Sequence, residues 1–577
     1  MKRISKYTIV LIIIILIGTF VRFYNIDWGD NHFFHPDERN IGIAVSNINI
    51  ERGDYNPDFF AYGSFPIYML YIISKGQFEI TLIAGRYLSA GFSVLSLYLI
   101  YLITKRLLIS MFVRDRETIK STKKIESYAL LATLLASLSP ALIQFAHFTT
   151  FESFLTFEYL LFTLLSIKLL SKPTLINFLL VALVMGLAVG TKIVSLFLIV
   201  VFFLLFVFTI LNTRRPELNK YKFLINFPFE FLNFKYILST ILAVAIFILT
   251  NPFIFLDYNS YQGSMDYERG VATGTLSVFY NQQFIETIPV VYQFLYVFPS
   301  LMGWPLTLFS FISILFLLIY CIRYGIKYLI ANTHINKLPL VVFLLVGSGY
   351  TLFHFTMYVK WSRYMVPTVP FLIISFIIVF ANLSYKRYKF LRNFSKVTII
   401  FVSLFSIIQG LNFFTIYLKP DPRLEAARWL AENSQSEDTF AGEVYDMGMT
   451  AFNEKLGTHR ITEFDYYHLD DSSNDTAELV KLDQLISESE FIIVPAERIY
   501  PTRARLSKKY PNGYNHYKQL FAGELGFVKV AEFTRTTYLE DLFNVTFYSG
   551  GLMMPLNYDE TFRVFDQPTV SIFKKSI

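Results

Sequence analysis

The chain has 577 residues, of which 54% are hydrophobic, 18% aromatic and only 16% charged. Soluble domains are about a quarter charged, so an ordinary water-soluble protein is excluded, and the single Cys321 excludes an internal disulfide or a thiolate metal cluster. The net charge of +7 combines two unlike parts: residues 1–417 hold 34 Lys and Arg against 19 Asp and Glu, a net of +15, while residues 418–577 hold 17 against 25, a net of −8.

Apolar runs of the length needed to cross a hydrocarbon core recur throughout the first part. They predict eleven spans, near residues 7–24, 82–104, 127–147, 153–167, 174–190, 193–211, 236–255, 304–322, 339–357, 364–381 and 397–417. The first begins like a signal peptide, with Lys2, Arg3 and Lys6 ahead of an Ile-rich core. No small-residue cleavage pattern follows, so it is read as a retained anchor. With the N-terminus inside, the inner segments hold 25 Lys and Arg and the outer ones 7. That asymmetry places residues 418–577 outside the cell membrane.

Two long outer loops, 25–81 and 256–303, interrupt the membrane domain of residues 1–417. Both carry amphipathic or aromatic pieces suited to the membrane interface. The part from 418 to 577 reads as a mixed α/β domain. RLEAARWLAENS and TAELVKLDQLISESE have helical spacing, and FIIVP, GFVKVAEF and VSIFKK read as strands. The chain has no nucleotide-binding loop, nucleophile elbow or internal repeat.

Charged residues at a membrane boundary are costly, which makes them informative. In HFFHPDERN, residues 32–40, Pro36 opens a new helix whose first turn carries Asp37 and Glu38. They read either as a helix cap or as catalytic carboxylates. Glu152, in the short connection before the fourth span, carries the same two readings, and Glu158 lies deeper as a packed polar group. Arg86, Lys192, Lys360 and Arg363 fall at the outer ends of spans. They either snorkel to headgroups or together bind a phosphate. His32, His35 and His147 with Asp37 are the candidate ligands for a divalent metal, although their spacing matches no strong metal motif.

The order of short motifs carries a resemblance: VRFYNI, HPDE, GRYLSAGFSVLSLYLIYLITKRL, HFTTFESFL, GLAVGTKIVSLFLI, KWSRYMVPTVPFLI and RLEAARWLAEN, covering residues 1–435. It resembles the membrane glycosyltransferases of the GT-C fold that use polyprenyl-phosphate sugars, specifically the protein O-mannosyltransferase-like family (glycosyltransferase family 39-like). The resemblance implies a polytopic α-helical GT-C domain followed by an extracytoplasmic mixed α/β domain. It also implies a donor such as mannose, or a similar hexose or pentose, on dolichyl or undecaprenyl phosphate. The acceptor would be a hydroxyl of a protein, lipid or glycan.

Carried over by motif, Asp37 is the base and Glu38 its support. Glu152 stands where relatives in the mannosyltransferase branch more often have Asp. Arg86, Lys192, Arg363 and Tyr364 fall at substrate or phosphate positions, and Lys360 joins them as a substrate or phosphate candidate from its place beside Arg363 alone. The tail does not resemble the β-trefoil insert of eukaryotic protein mannosyltransferases. Two other readings stand beside this one: a flippase or transporter of lipid-linked sugars, and an oligosaccharyltransferase of the same fold, whose W-W-D-Y-G type signature is absent. Nucleic-acid binding is not expected, because most basic residues lie in short inner loops.

Overall fold

Long Leu-, Ile- and Phe-rich runs satisfy their backbone groups internally as helices, the form a membrane demands. The computed structural model describes residues 5–112, 118–214, 229–331, 337–444, 449–470, 475–543 and 560–576. A helix stands at each of the eleven expected spans. Among the described residues, eight helical stretches are long and apolar enough to cross a membrane. Three helices fall outside that set. Leu175–Thr191 and Phe234–Thr250 have 17 residues each, and Thr118–Ser137 opens on the polar TIKSTKKIES. The chain is a multi-pass membrane protein. Several residues of the expected inner loops, namely 113–117, 215–228 and 332–336, lie outside the described residues.

The third span differs from expectation. One span over 127–147 was predicted, but the helix stops at Ser137 and a five-residue helix, Pro140–Gln144, follows. Pro140 removes a donor and disfavours helical geometry at Ser139. Arg22, buried in the last turn of the first helix, donates to the carbonyls of Ser137 at 2.8 Å and Ala136 at 3.1 Å. It thereby satisfies acceptors that a terminating helix leaves open. Residues 147–151 are thus released from helix and reach the first outer loop.

That loop contains the helices Pro36–Asn47 and Ser64–Ser74. Its second half docks where the Leu175–Thr191 helix ends. The Gly63 amide donates to Thr191 O at 3.0 Å and the Ser64 amide to Asn251 Oδ1 at 2.8 Å. A side chain at Gly63 would overlap the Gly190 carbonyl, so only glycine permits this approach.

The tail forms a five-stranded sheet of β1 (Thr439–Glu443), β2 (Arg460–Phe464), β3 (Phe491–Val494), β4 (Phe527–Thr534) and β5 (Thr569–Lys575), in the order β2-β1-β3-β5-β4. β1 pairs in parallel with β2 and β3, and β5 runs antiparallel to β3 and β4. Alternation along the strands divides the core. Phe491, Ile493, Val570 and Ile572 pack with Leu430 of the helix Pro422–Asn433. Ile492, Val494 and Phe573 pack with Leu482, Leu485 and Leu520 on the other face. The expected strands are β3, β4 and β5, and the two expected helices are Pro422–Asn433 and Asp475–Glu488. β1 and β2 were not expected.

Candidate active site

The helix Pro36–Asn47 begins as its sequence requires. Pro36 occupies the first helical position, and His35 Nδ1 accepts the Asp37 amide at 3.2 Å. A ring nitrogen that accepts must be unprotonated. Burial, aided by the Arg363 charge, accordingly holds His35 well below the usual histidine range. The cap turns Asp37 into a cavity of about 560 Å³. The Tyr62 hydroxyl donates to Asp37 Oδ2 at 2.9 Å, and Arg363 Nη1 donates to the same oxygen. Burial, with the Glu152 charge second, raises the Tyr62 phenol far above its ordinary value and keeps it a donor.

Lys192 lines the cavity at the extended end of the helix Leu175–Thr191. Its ammonium lies 4.6 Å from the Tyr364 ring centre, 5.0 Å from that of Tyr62, and 3.7 Å from Glu152 Oε1. Glu152 is 1% exposed, and neither of its oxygens has a hydrogen-bond partner among the described residues. Lys192 is therefore its compensating charge, held between two aromatic rings. Asp37, Lys192, Arg363 and Tyr364 share the cavity wall, and Glu152 sits behind Lys192.

Other expected site residues lie elsewhere. Glu38 and Arg86 are fully buried and form a two-pronged ion pair, 2.9 Å at each contact, away from the cavity wall. Glu38 also accepts the Thr149 amide at 2.7 Å, and the Arg86 guanidinium lies over Trp28 and Phe33. With its fork spent on Glu38, Arg86 has no open approach for a phosphate. Lys360 is also fully buried, donates to Tyr358 O and lies against the Phe284 and Tyr358 rings. Burial pushes its amine down to about 8.

Of the candidate metal ligands, His147 stacks on Tyr417 at 3.8 Å, and its two ring nitrogens face the carbonyls of Ile143 and Tyr24. His32 stacks on Phe34. No group of three or more His, Cys, Asp or Glu placed to hold a metal occurs among the described residues. Glu158, inside its span, accepts the Thr191 hydroxyl at 2.9 Å.

The cavity is completed by residues that no sequence motif marks. Tyr267, Glu268, Phe279, Tyr280 and Gln283 come from the second outer loop, and Arg498, Glu560, Thr561 and Phe565 come from the tail. The tail is fastened to the loops around the cavity. Gln144 Nε2 donates to Asp566 Oδ1 at 3.0 Å, Arg535 Nη2 to Trp28 O at 3.3 Å, and Arg503 Nη2 to Gln282 Oε1 at 2.9 Å. Phe565 packs against His35 with ring centres 4.1 Å apart and the rings tilted by 42°. An inventory of every acidic residue assigned to the outer side would have included Glu268 and Glu560. Nothing in the sequence would have told them from the acidic residues around them.

The chain is similar to solved membrane glycosyltransferases of the GT-C fold. The Archaeoglobus fulgidus oligosaccharyltransferase in its apo form matches with a TM-score of 0.48 and 13% identity, over 88% of this chain and 72% of that one. ArnT from Cupriavidus metallidurans, bound to undecaprenyl phosphate, matches with a TM-score of 0.43 and 13% identity, over 87% and 95%. The S. cerevisiae protein O-mannosyltransferase Pmt1-Pmt2 complex, bound to the sugar donor, matches with a TM-score of 0.33 and 16% identity, over 45% and 35%. No family model and no curated protein matches the sequence.

Proposed function

We propose that this protein is a membrane glycosyltransferase that moves a sugar from a polyprenyl-phosphate carrier to an acceptor hydroxyl on the extracytoplasmic side. The observation that carries the proposal is one cavity in which the Asp37 carboxylate stands beside two cations, Arg363 and Lys192. The resemblance of the motif order to the protein O-mannosyltransferase-like family supports it independently.

In this reading Asp37 takes the proton of the acceptor hydroxyl as its oxygen bonds to the anomeric carbon. The bond from that carbon to the phosphate oxygen breaks on the opposite face, so configuration inverts. The electron pair leaves on the polyprenyl phosphate, whose charge grows from about −1 to −2 during the step. Lys192 and Arg363 oppose that growth where water is partly excluded, and stabilise the transition state more than the ground state. A phosphate is a good leaving group, so the step needs no second carboxylic acid. Glu152 holds Lys192, and the Tyr364 ring lies close to both cations. Glu38 and Arg86 support the helix that carries Asp37.

The test is to incubate the purified protein with a panel of polyprenyl-phosphate sugars and a hydroxyl acceptor, and to follow release of polyprenyl phosphate. Release coupled to glycosylated acceptor is expected. Donor that moves between leaflets without being cleaved would establish a flippase instead.

A further inference from the structure

Glu268 is a cavity carboxylate that the proposed displacement leaves without a task. It lies on the second-loop helix Tyr258–Thr273 and lines the same cavity as Asp37 and Arg363. Among the described residues it forms no hydrogen bond and no ion pair. The other cavity carboxylates are held: Asp37 by Tyr62 and Arg363, and Glu560 by Arg498 at 3.5 Å. On the same helix, Asp266 pairs with Arg269 at 3.4 Å on an exposed face. Burial raises the Glu268 carboxyl above its ordinary value, and the charge of Lys192 opposes that rise from beyond ion-pair distance.

Glu268 is half-buried at the cavity wall, so a ligand filling the cavity would take its carboxylate out of water and would have to supply hydrogen-bond donors in place of that water. Its two oxygens match two hydroxyl donors on adjacent ring carbons, whereas a second phosphate would be repelled. The surrounding wall suits a pyranose. Tyr280 and Trp361 have ring centres 5.9 Å apart, Trp361 and Tyr364 5.2 Å, and the Tyr267 hydroxyl bonds that of Tyr280 at 2.7 Å. Aromatic faces pack against the C–H faces of a sugar ring while polar groups meet its hydroxyls.

Resting on the function proposed above, we infer that Glu268 is a specificity-determining residue that accepts hydrogen bonds from two adjacent hydroxyls of a hexose ring bound in the cavity. Its place near Lys192, the proposed phosphate partner, assigns that ring to the donor. An acceptor glycan has the same chemistry and is the other arm of the test.

The experiment uses the full-length protein with polyprenyl-phosphate mannose, polyprenyl-phosphate glucose and the singly deoxygenated analogue of each at every ring hydroxyl. The wild type should favour a parent donor over at least one analogue by roughly 10- to 100-fold in kcat/KM, the range of a charged hydrogen bond. Glu268→Ala should lose a similar factor on the parent and treat parent and analogue alike, and Glu268→Gln should retain part of the discrimination. A loss in donor KM assigns the ring to the donor, and a loss confined to acceptor KM assigns it to the acceptor. The inference is overturned if Glu268→Ala matches the wild type on the parent donor or keeps the full discrimination. A wild type that cleaves neither hexose donor but releases polyprenyl phosphate from another sugar of the wider panel overturns the hexose assignment alone, and one that cleaves no polyprenyl-phosphate sugar retracts the proposed function with it.

Discussion

Asp37 is engaged twice, by the Tyr62 phenol and by the Arg363 guanidinium. Both contacts fall on Oδ2, so the proposed reaction implies an order of events. In the proposed reaction an arriving donor phosphate would compete for Arg363 and loosen its hold on Asp37 as the carboxylate takes the proton. Lys360 illustrates what a residue-scale reading of sequence misses. Read as a surface cation near a span end, it is instead closed over by the rings of Phe284 and Tyr358. Burial pushes its pKa down to about 8 from the ordinary lysine value of 10.5, so the folded chain binds fewer protons than the unfolded chain between those values. The contribution of Lys360 to stability therefore rises with pH across that window and is smallest below pH 8. Thermal unfolding followed from pH 7 to 10.5 should show this rise in the wild type and lose it in Lys360→Met, whereas parallel curves would contradict the assignment. Hydropathy marks where a cation leaves a span, but not which aromatic side chains fold across it. Asp37, Lys192 and Arg363 were legible because each sits in an ordered motif. Glu268 and Glu560 were not, because their neighbours in the chain carry no pattern and only tertiary contact brings them to the cavity.

Among the elements, the loop that carries Asp37 is joined to the helix Phe78–Phe112 by a buried ion pair. Glu38 of the helix Pro36–Asn47 and Arg86 of the helix Phe78–Phe112 join segments 48 residues apart. Arg86→Leu should destabilise the protein by about 3–5 kcal/mol, because it strands the Glu38 charge in the interior, and the double variant Glu38→Leu with Arg86→Leu should recover much of that. Unfolding midpoints in detergent measure both, and an unchanged midpoint for Arg86→Leu would sink the account. The pair could not be read from sequence, since nothing local connects the two positions. The break in the third span was legible in principle from Pro140, but Arg22 satisfying the carbonyls of Ala136 and Ser137 was not. In the tail, β3 reads as FIIV, a continuous apolar run buried on both faces. β1 and β2 read as TFAGE and RITEF, too short and polar to separate from loop. They become strands because β3 offers β1 a parallel edge, and β1 offers β2 one in turn.

For the whole molecule, the split of +15 and −8 now has a physical setting. The acidic tail is fastened to the segments around the cavity and supplies part of its wall, so tail and cavity lie on the same side of the membrane. Orientation can be tested because Cys321 is the sole cysteine. In a Cys321→Ser background, Lys508→Cys on the exposed surface of the tail should react with a membrane-impermeant maleimide in intact cells lacking an outer barrier. Labelling only after the membrane is opened would place tail and cavity inside, against the proposed topology.

The proposed reaction assigns removal of the acceptor proton to Asp37, and comparing Asp37→Asn with the wild type for release of polyprenyl phosphate at saturating donor tests that role. A loss on the order of 10²- to 10⁴-fold in kcat, with donor binding retained and the unfolding midpoint unchanged, is the predicted result. An Asp37→Asn protein that turns over donor at the wild-type rate would contradict it.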